Sequence, residues 1–330
     1  MTTAKYLFAV AGIAVALPTI AAVQPQAVDI GAMKLIPTLG VTQRYDDNIF
    51  RQATDEVSSW ATIVTPQLQL LAEQDANQVA LTYLGDYGRY SSSSDDNYYD
   101  HTVSLDAQLE ANDQNRFVLG ASMAKLHDAR GEGSSEGVIA ISRPEPDEYD
   151  ANSLSANYDF GRESARFGLE LSADTTDIEY QNNLLETQFR NRQDTGLGGK
   201  FYGRLASKTR FFVELAQTDI EYDVLPLSAE TLNSDEQNVS LGIDWEVTGK
   251  TSGSVQVGRL SKDFDASTRS DQTFTSWQAS VLWAPRTYSY VTLAATKSPL
   301  ETNGTGSFIE STNYTAQWNH DWSDFLHATL

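Results

Sequence analysis

Asn238-Val239-Ser240-Leu241-Gly242-Ile243-Asp244-Trp245-Glu246-Val247-Thr248 puts Val239, Leu241, Ile243, Trp245 and Val247 on one face of an extended chain. Ser240, Gly242, Asp244, Glu246 and Thr248 fall on the other. Strict period two over eleven residues is the pattern of a β-strand with one apolar and one polar face.

The same alternation recurs. Val103, Leu105, Ala107 and Leu109 oppose Ser104, Asp106, Gln108 and Glu110. Leu154, Ala156, Tyr158 and Phe160 oppose Ser153, Ser155, Asn157 and Asp159, and Phe167, Leu169, Leu171 and Ala173 oppose Gly168, Glu170, Ser172 and Asp174. Phe211, Val213 and Leu215 oppose Arg210 and Glu214. Trp277 to Trp283 and Tyr314 to Trp318 follow the same rule.

Composition removes several classes. The 330 residues carry 45 Asp and Glu against 23 Lys and Arg, a formal charge of −22, and no cysteine. So acidic a chain lacks the cationic surface that nucleic-acid binding requires, and no nucleic-acid partner is expected. Absence of cysteine excludes disulfide scaffolds, thiolate nucleophiles and Cys-ligated metal sites.

Residues 1–22 read as a cleaved secretory signal, with Lys5 ahead of the uncharged run Tyr6 to Leu17 and the small pair Ala21-Ala22 at its end. Twelve residues are too few for a membrane-spanning helix, which needs about 20. Residues 23–330 then form the exported domain, and nothing downstream is long and apolar enough to span as a helix.

Turn chemistry is unequal along this domain. Short connections stand at Gln74–Asn77, Asn112–Asn115, Gly161–Ser164, Ala206–Lys208, Thr248–Lys250, Pro285–Thr287 and Asp321–Asp324. Between them lie longer polar stretches at Asp46–Ser59, Ser91–Asp100, Asp128–Asp150, Glu179–Arg190, Tyr222–Glu236, Asp263–Asp271 and Pro299–Ser311. Short turns at one end and long acidic loops at the other are the asymmetry of an outer-membrane barrel. A propeller would place four strands in each repeat of about 40 residues, whereas here each repeat holds two long ones.

The expected fold is therefore all-β: an antiparallel transmembrane β-barrel of roughly fourteen or more strands, with short periplasmic turns and long acidic external loops. Lipid covers the apolar faces and water the polar ones, which makes Asp106, Glu110, Glu170, Asp174, Glu214, Asp244 and Glu246 candidates for the lumen wall. Trp60, Phe160, Trp245, Trp283, Tyr288, Tyr314, Trp318 and Trp322 are candidates for the aromatic girdles at the two membrane interfaces. The strands count from near Leu35 to near Trp322, followed by a fragment, Asp324 to Leu330. That remainder points to a C-terminally truncated product lacking one or more hairpins; the alternative is a fourteen-stranded barrel whose last residues tuck inside or join the closing seam.

Two stretches carry a family resemblance. Tyr45-Asp46-Asp47-Asn48-Ile49-Phe50-Arg51, and Tyr83-Leu84-Gly85-Asp86-Tyr87-Gly88-Arg89-Tyr90 leading to Asp95-Asp96-Asn97-Tyr98-Tyr99-Asp100-His101, resemble the putative beta-barrel porin 2 family. The resemblance implies an outer-membrane barrel without defined site residues, with relatives that continue past the point matching Leu330 and several that lie among genes for exopolysaccharide or capsule production.

No catalytic residues emerge. His101, His127, His320 and His327 are scattered, with no His-Glu-x-x-His and no Gly-x-Ser-x-Gly. Ser323 or Ser311 beside His320 would be needed for a barrel lipase, and the Asp244/Glu246 pair for acid–base work on sugars; a surface histidine and a solvated pore wall explain them better. Asp46-Asp47-Asn48 and Asp95-Asp96-Asn97 offer oxygen ligands, but neither has the calcium-loop spacing, and no metal or cofactor is assigned. Asn303-Gly304-Thr305 is read as turn chemistry rather than as a glycosylation site.

The leading expectation is a porin-like channel for small solutes whose acidic lumen favours cations or neutral solutes. Alternatives are an accessory barrel in exopolysaccharide export and a structural barrel with partner-binding loops. Expected partners are the lipid bilayer, lipopolysaccharide, and polysaccharide or small polar solutes in the lumen. Oligomeric state is not legible.

Overall fold

The computed structural model describes residues 27–132, 140, 142–161, 165–225, 230–301, 309–323 and 326–330. The segment read as a signal, the turn residues Arg162-Glu163-Ser164 and Asn303-Gly304-Thr305 lie outside them.

The chain forms one antiparallel meander of sixteen strands, each paired with its neighbours in sequence. In order these are β1 Val28–Ile30, β2 Met33–Asp46, β3 Ser59–Gln74, β4 Asn77–Tyr90, β5 Tyr98–Asn112 and β6 Asn115–Asp128. Then come β7 Asp147–Phe160, β8 Phe167–Tyr180, β9 Arg192–Ala206, β10 Thr209–Tyr222 and β11 Ser234–Thr248. The last are β12 Thr251–Phe264, β13 Gln272–Arg286, β14 Ser289–Leu300, β15 Ile309–Ser323 and β16 Leu326–Thr329.

Fourteen strands, β2 to β15, are long, the expected number. The final residues add β16 to the short-turn end of β15, and β1 covers Met33 to Leu35 of β2 in the same way. Among the described residues no ladder joins β1 or β2 to β15 or β16.

Curvature follows from contacts that skip a strand. Gln256 on β12 donates to Glu214 on β10 at 2.7 Å, passing over β11. Ser276 on β13 donates to Asn238 on β11 at 2.9 Å, over β12. Such contacts form only where side chains converge, so the polar face is concave. Gly258 makes the second one possible: a Cβ there would meet Asn238 Oδ1, Ser240 Cβ and Ser276 Oγ, each at 2.8 Å.

The convex face is apolar. Leu39, Leu197, Leu215 and Leu241 are more than half exposed, an arrangement that only lipid makes stable. Above this band, toward the long loops, outward positions change character. Asp150 stands opposite Glu179, and Asp219, Asp235 and Asp263 form a row across β10, β11 and β12. Carboxylates in a row on the outer surface belong in water, so the strands overshoot the hydrocarbon. The lengths agree: a 14-residue strand such as β10, at about 3.3 Å per residue and a tilt of about 40°, rises about 35 Å against an apolar band of about 25 Å.

This overshoot corrects the loop boundaries expected from sequence. Tyr98–Asp100, Asp147–Asp150, Glu179–Tyr180, Ser234–Glu236 and Ile309–Ser311 are strand, not loop. Outside the membrane the outward face need not be apolar, so alternation fades while the hydrogen-bonded ladder continues.

Replacing Leu241 with Arg puts a charge on the lipid face and should lower folding stability in bilayers by about 2–4 kcal/mol. Asp235→Ala, above the band, should stay within about 0.5 kcal/mol of wild type. Equilibrium denaturation in liposomes reads both; equal effects would contradict the placement of the band.

Candidate functional site

The lumen wall carries a row of charge fixed by register. Glu110 pairs with Arg116, Arg116 with Asp159, Asp159 with Glu170, Glu170 with Lys200 and Lys200 with Glu214 across β5 to β10. One strand further, Arg210 pairs with Asp244. Five of these six steps around the wall join opposite charges, the favourable cross-strand arrangement. The distances follow: Arg116 to Glu110 is 2.8 Å, and Arg210 lies 2.9 Å from Asp244 and 3.6 Å from Glu170. Lys200 stands between Glu170 at 3.8 Å and Glu214 at 3.9 Å. Two aromatic rings support the bases, with Arg210 over Tyr202 at 4.6 Å and Lys200 over Phe212 at 4.8 Å.

These groups surround a cavity of about 950 Å³ at the short-turn end of the lumen. Of the expected lumen acids, Glu110, Glu170, Asp244 and Glu246 line it together. Glu214 joins through Lys200 and Gln256. Asp106 and Asp174 lie higher on the wall, where Asp106 accepts a bond from Ser104 at 3.1 Å and Gly196 leaves room for the Asp174 carboxylate. A reading centred on acids missed the bases: Arg116, Lys200, Arg204, Lys208, Arg210 and Lys250 line the same cavity. The signal was present, since Arg116, Lys200 and Arg210 occupy the polar phase of their own alternating strands.

The girdle candidates divide between the two ends. Trp60 sits at the long-loop end of β3, its ring 5.1 Å from Tyr45. Phe160, Trp245, Trp283, Tyr288, Trp318 and Trp322 lie toward the short-turn end. Tyr314 is nearer the long loops, 6.2 Å from Trp277.

The two family-like stretches meet at the outer mouth. Phe50, from the β2–β3 loop, is buried beneath the Arg130 guanidinium at 4.9 Å. Arg130 in turn makes two bonds of 2.7 Å to Asp96, from the β4–β5 loop. Other motif oxygens are engaged too: Asp46 accepts the Asn48 amide at 2.9 Å, Asn48 accepts the Gln52 amide at 2.8 Å, and Asn97 accepts the Tyr90 amide at 2.8 Å. These acids and amides organise loops, and no cluster of His, Asp and Glu suited to a metal occurs among the described residues. Arg130 was not legible as their partner, because it lies 34 residues beyond Asp96 in the chain.

The histidines stand apart: His101 bonds Tyr83 at 2.9 Å, His127 pairs with Asp100 at 2.9 Å and His327 with Asp321 at 2.6 Å. His320 packs among Tyr288, Trp318 and Trp322. Ser311 pairs with Ser298 at the other end of β15, so it is not beside His320. Asp244 of the carboxylate pair is held by Arg210 and, at 2.7 Å, by Ser254.

Arg130→Ala leaves Asp96 buried without its cation, a change that costs about 3–5 kcal/mol. Limited proteolysis should then cut between Asp46 and Ser59 while the strands stay intact; unchanged protection of this loop would show that Arg130 does not hold it.

No curated protein matches the chain. Among solved structures it is similar to the siderophore receptor PiuA from Acinetobacter baumannii, at 10% identity and a TM-score of 0.49, covering 90% of this chain and 59% of that one. It is also similar to a Pseudomonas aeruginosa FadL homologue, at 10% identity and a TM-score of 0.36, covering 87% of this chain and 86% of that one. The chain thus spans less than two thirds of the siderophore receptor. The family model described as "Putative beta-barrel porin 2" matches residues 21–330, and the chain belongs to that family.

Proposed function

We propose that the chain is an outer-membrane channel through which small polar solutes, chiefly uncharged ones, diffuse without any bond being made or broken. The observation that supports this best is the compensated lumen wall. At the short-turn end Glu110, Glu170, Glu214 and Asp244 stand in register with Arg116, Lys200 and Arg210, so a solute there meets paired charge rather than a ring of free carboxylates. The cation bias expected from the acids alone therefore narrows to a weak one.

Between the charged levels, apart from Asp106 and Asp174, the wall carries neutral hydrogen-bonding groups. Along β11 the concave positions run Glu236, Asn238, Ser240, Gly242, Asp244. Ser122 and Ser153 share a bond of 2.7 Å, and Gln256 donates to Ser240 at 2.6 Å. Hydroxyls and amides can exchange bonds with a polyhydroxylated solute as water does. The same waist favours, as a second reading, an accessory channel for glycan export. Location in the outer membrane is supported by family membership and by the lipid-matched convex band, with lipid and lipopolysaccharide as its surroundings.

Reversal potentials in planar bilayers under a KCl gradient test the reading. Wild type should lie near zero, and Lys200→Ala and Arg210→Ala should each move the potential toward cation selectivity by uncovering Glu170 and Asp244. A strongly cation-selective wild type that ignores both substitutions would contradict it. Entry of neutral oligosaccharides into proteoliposomes, with block of conductance by long glycans, would favour the export reading.

A further inference from the structure

The top of β14 leaves the barrel wall. Its pairing with β13 begins only at Trp277 and Lys297, so residues 272 to 276 of β13 have no β14 partner. Ser298, Pro299 and Leu300 nevertheless stay paired with β15, through Ser311, Glu310 and Ile309. The cause lies in the sequence: continuing the β13–β14 register would bring Thr275 opposite Pro299, which has no N–H to offer the ladder.

Where the departing segment goes is fixed by Glu301. Its carboxylate accepts a 2.7 Å bond from Tyr222 at the top of β10 and is held by Lys262 of β12. Lys262 also reaches Glu236 of β11 at 2.9 Å and is fully buried. Strands β10 and β14 are four strand spacings apart, about 19 Å along the wall at about 4.8 Å each. That exceeds the combined reach of a Tyr and a Glu side chain. The backbone at Glu301 must therefore stand inside the lumen, away from its own strand's place in the wall.

We infer that Glu301, pinned by Lys262 and Tyr222, forms the size-limiting constriction of the channel at its outer mouth, and that the cavity at the short-turn end is an antechamber. The inference rests on the channel reading. It assigns solute size limits to Glu301 and Lys262, and leaves charge discrimination to the row that includes Arg210. The constriction is itself charge-paired, because Lys262 sits between Glu236 and Glu301, so it discriminates by width more than by sign.

Single-channel conductance and proteoliposome swelling with neutral sugars of increasing size test this, with heat-modifiable gel migration confirming the folded barrel. Glu301→Ala should raise unitary conductance at least about twofold and admit larger sugars. Glu301→Gln keeps the side chain's length and its contact with Tyr222, and should leave the size limit near that of wild type. Lys262→Met serves as an independent release of the same latch and should resemble Glu301→Ala. A silent wild type opened by Glu301→Ala would support the inference in its extreme form. If the wild type conducts and both releases match it in conductance and size limit, the constriction is elsewhere and the inference fails while the channel reading stands. If folded wild type and both releases are all silent, the channel reading fails and the inference with it.

Discussion

In hydrocarbon a backbone N–H or C=O finds no water, so each must be paired within the protein, and a lipid-facing side chain must be apolar. The rest of this structure depends on that constraint. It explains long, unbroken antiparallel strands joined in sequence order, a convex face bearing Leu39, Leu197, Leu215 and Leu241 in the open, and polar groups gathered on the concave side. It also explains the upper limit of the band, where Asp219, Asp235 and Asp263 stand side by side on the outer surface. Those carboxylates are tolerable only above the lipid.

Once polar groups are confined to the lumen they must satisfy one another there. Register does this economically: residues directly opposite on neighbouring strands become ion pairs around the wall, as with Glu110 and Arg116 or Arg210 and Asp244. The net acidity of the chain is therefore a poor guide to the field inside the pore. Acids such as Asp219, Asp235 and Asp263 lie on the outer strand overhangs, while six bases line the cavity at the short-turn end. The field at the wall follows from local pairing rather than from total charge.

Period two made the strands legible, and the unequal spacing of turns made the barrel legible, because both patterns are imposed by the bilayer at every strand. Three features were hidden. Strand ends above the membrane escaped because Asp150, Glu179 and Asp235 face water, and the pattern carries no apolar signal there. Arg130 escaped because its partners, Phe50 and Asp96, come from other hairpins, and no local spacing encodes a contact between loops. Glu301 escaped for the same reason, although Pro299 in a strand was a clue that a ladder had to end nearby.

The most direct test of the account is the alternation of environment along one strand. The chain has no cysteine, so single substitutions along β11 and β13 can be read without background. Asn238→Cys, Asp244→Cys, Gln278→Cys and Ser280→Cys should react in proteoliposomes with a small water-soluble thiol reagent. Val239→Cys, Leu241→Cys, Ala279→Cys and Val281→Cys should resist it and, once labelled with a fluorophore before reconstitution, should be quenched by lipid-borne quenchers. Labelling without alternation, or with the two phases exchanged, would contradict a water-lined lumen inside a lipid-facing wall.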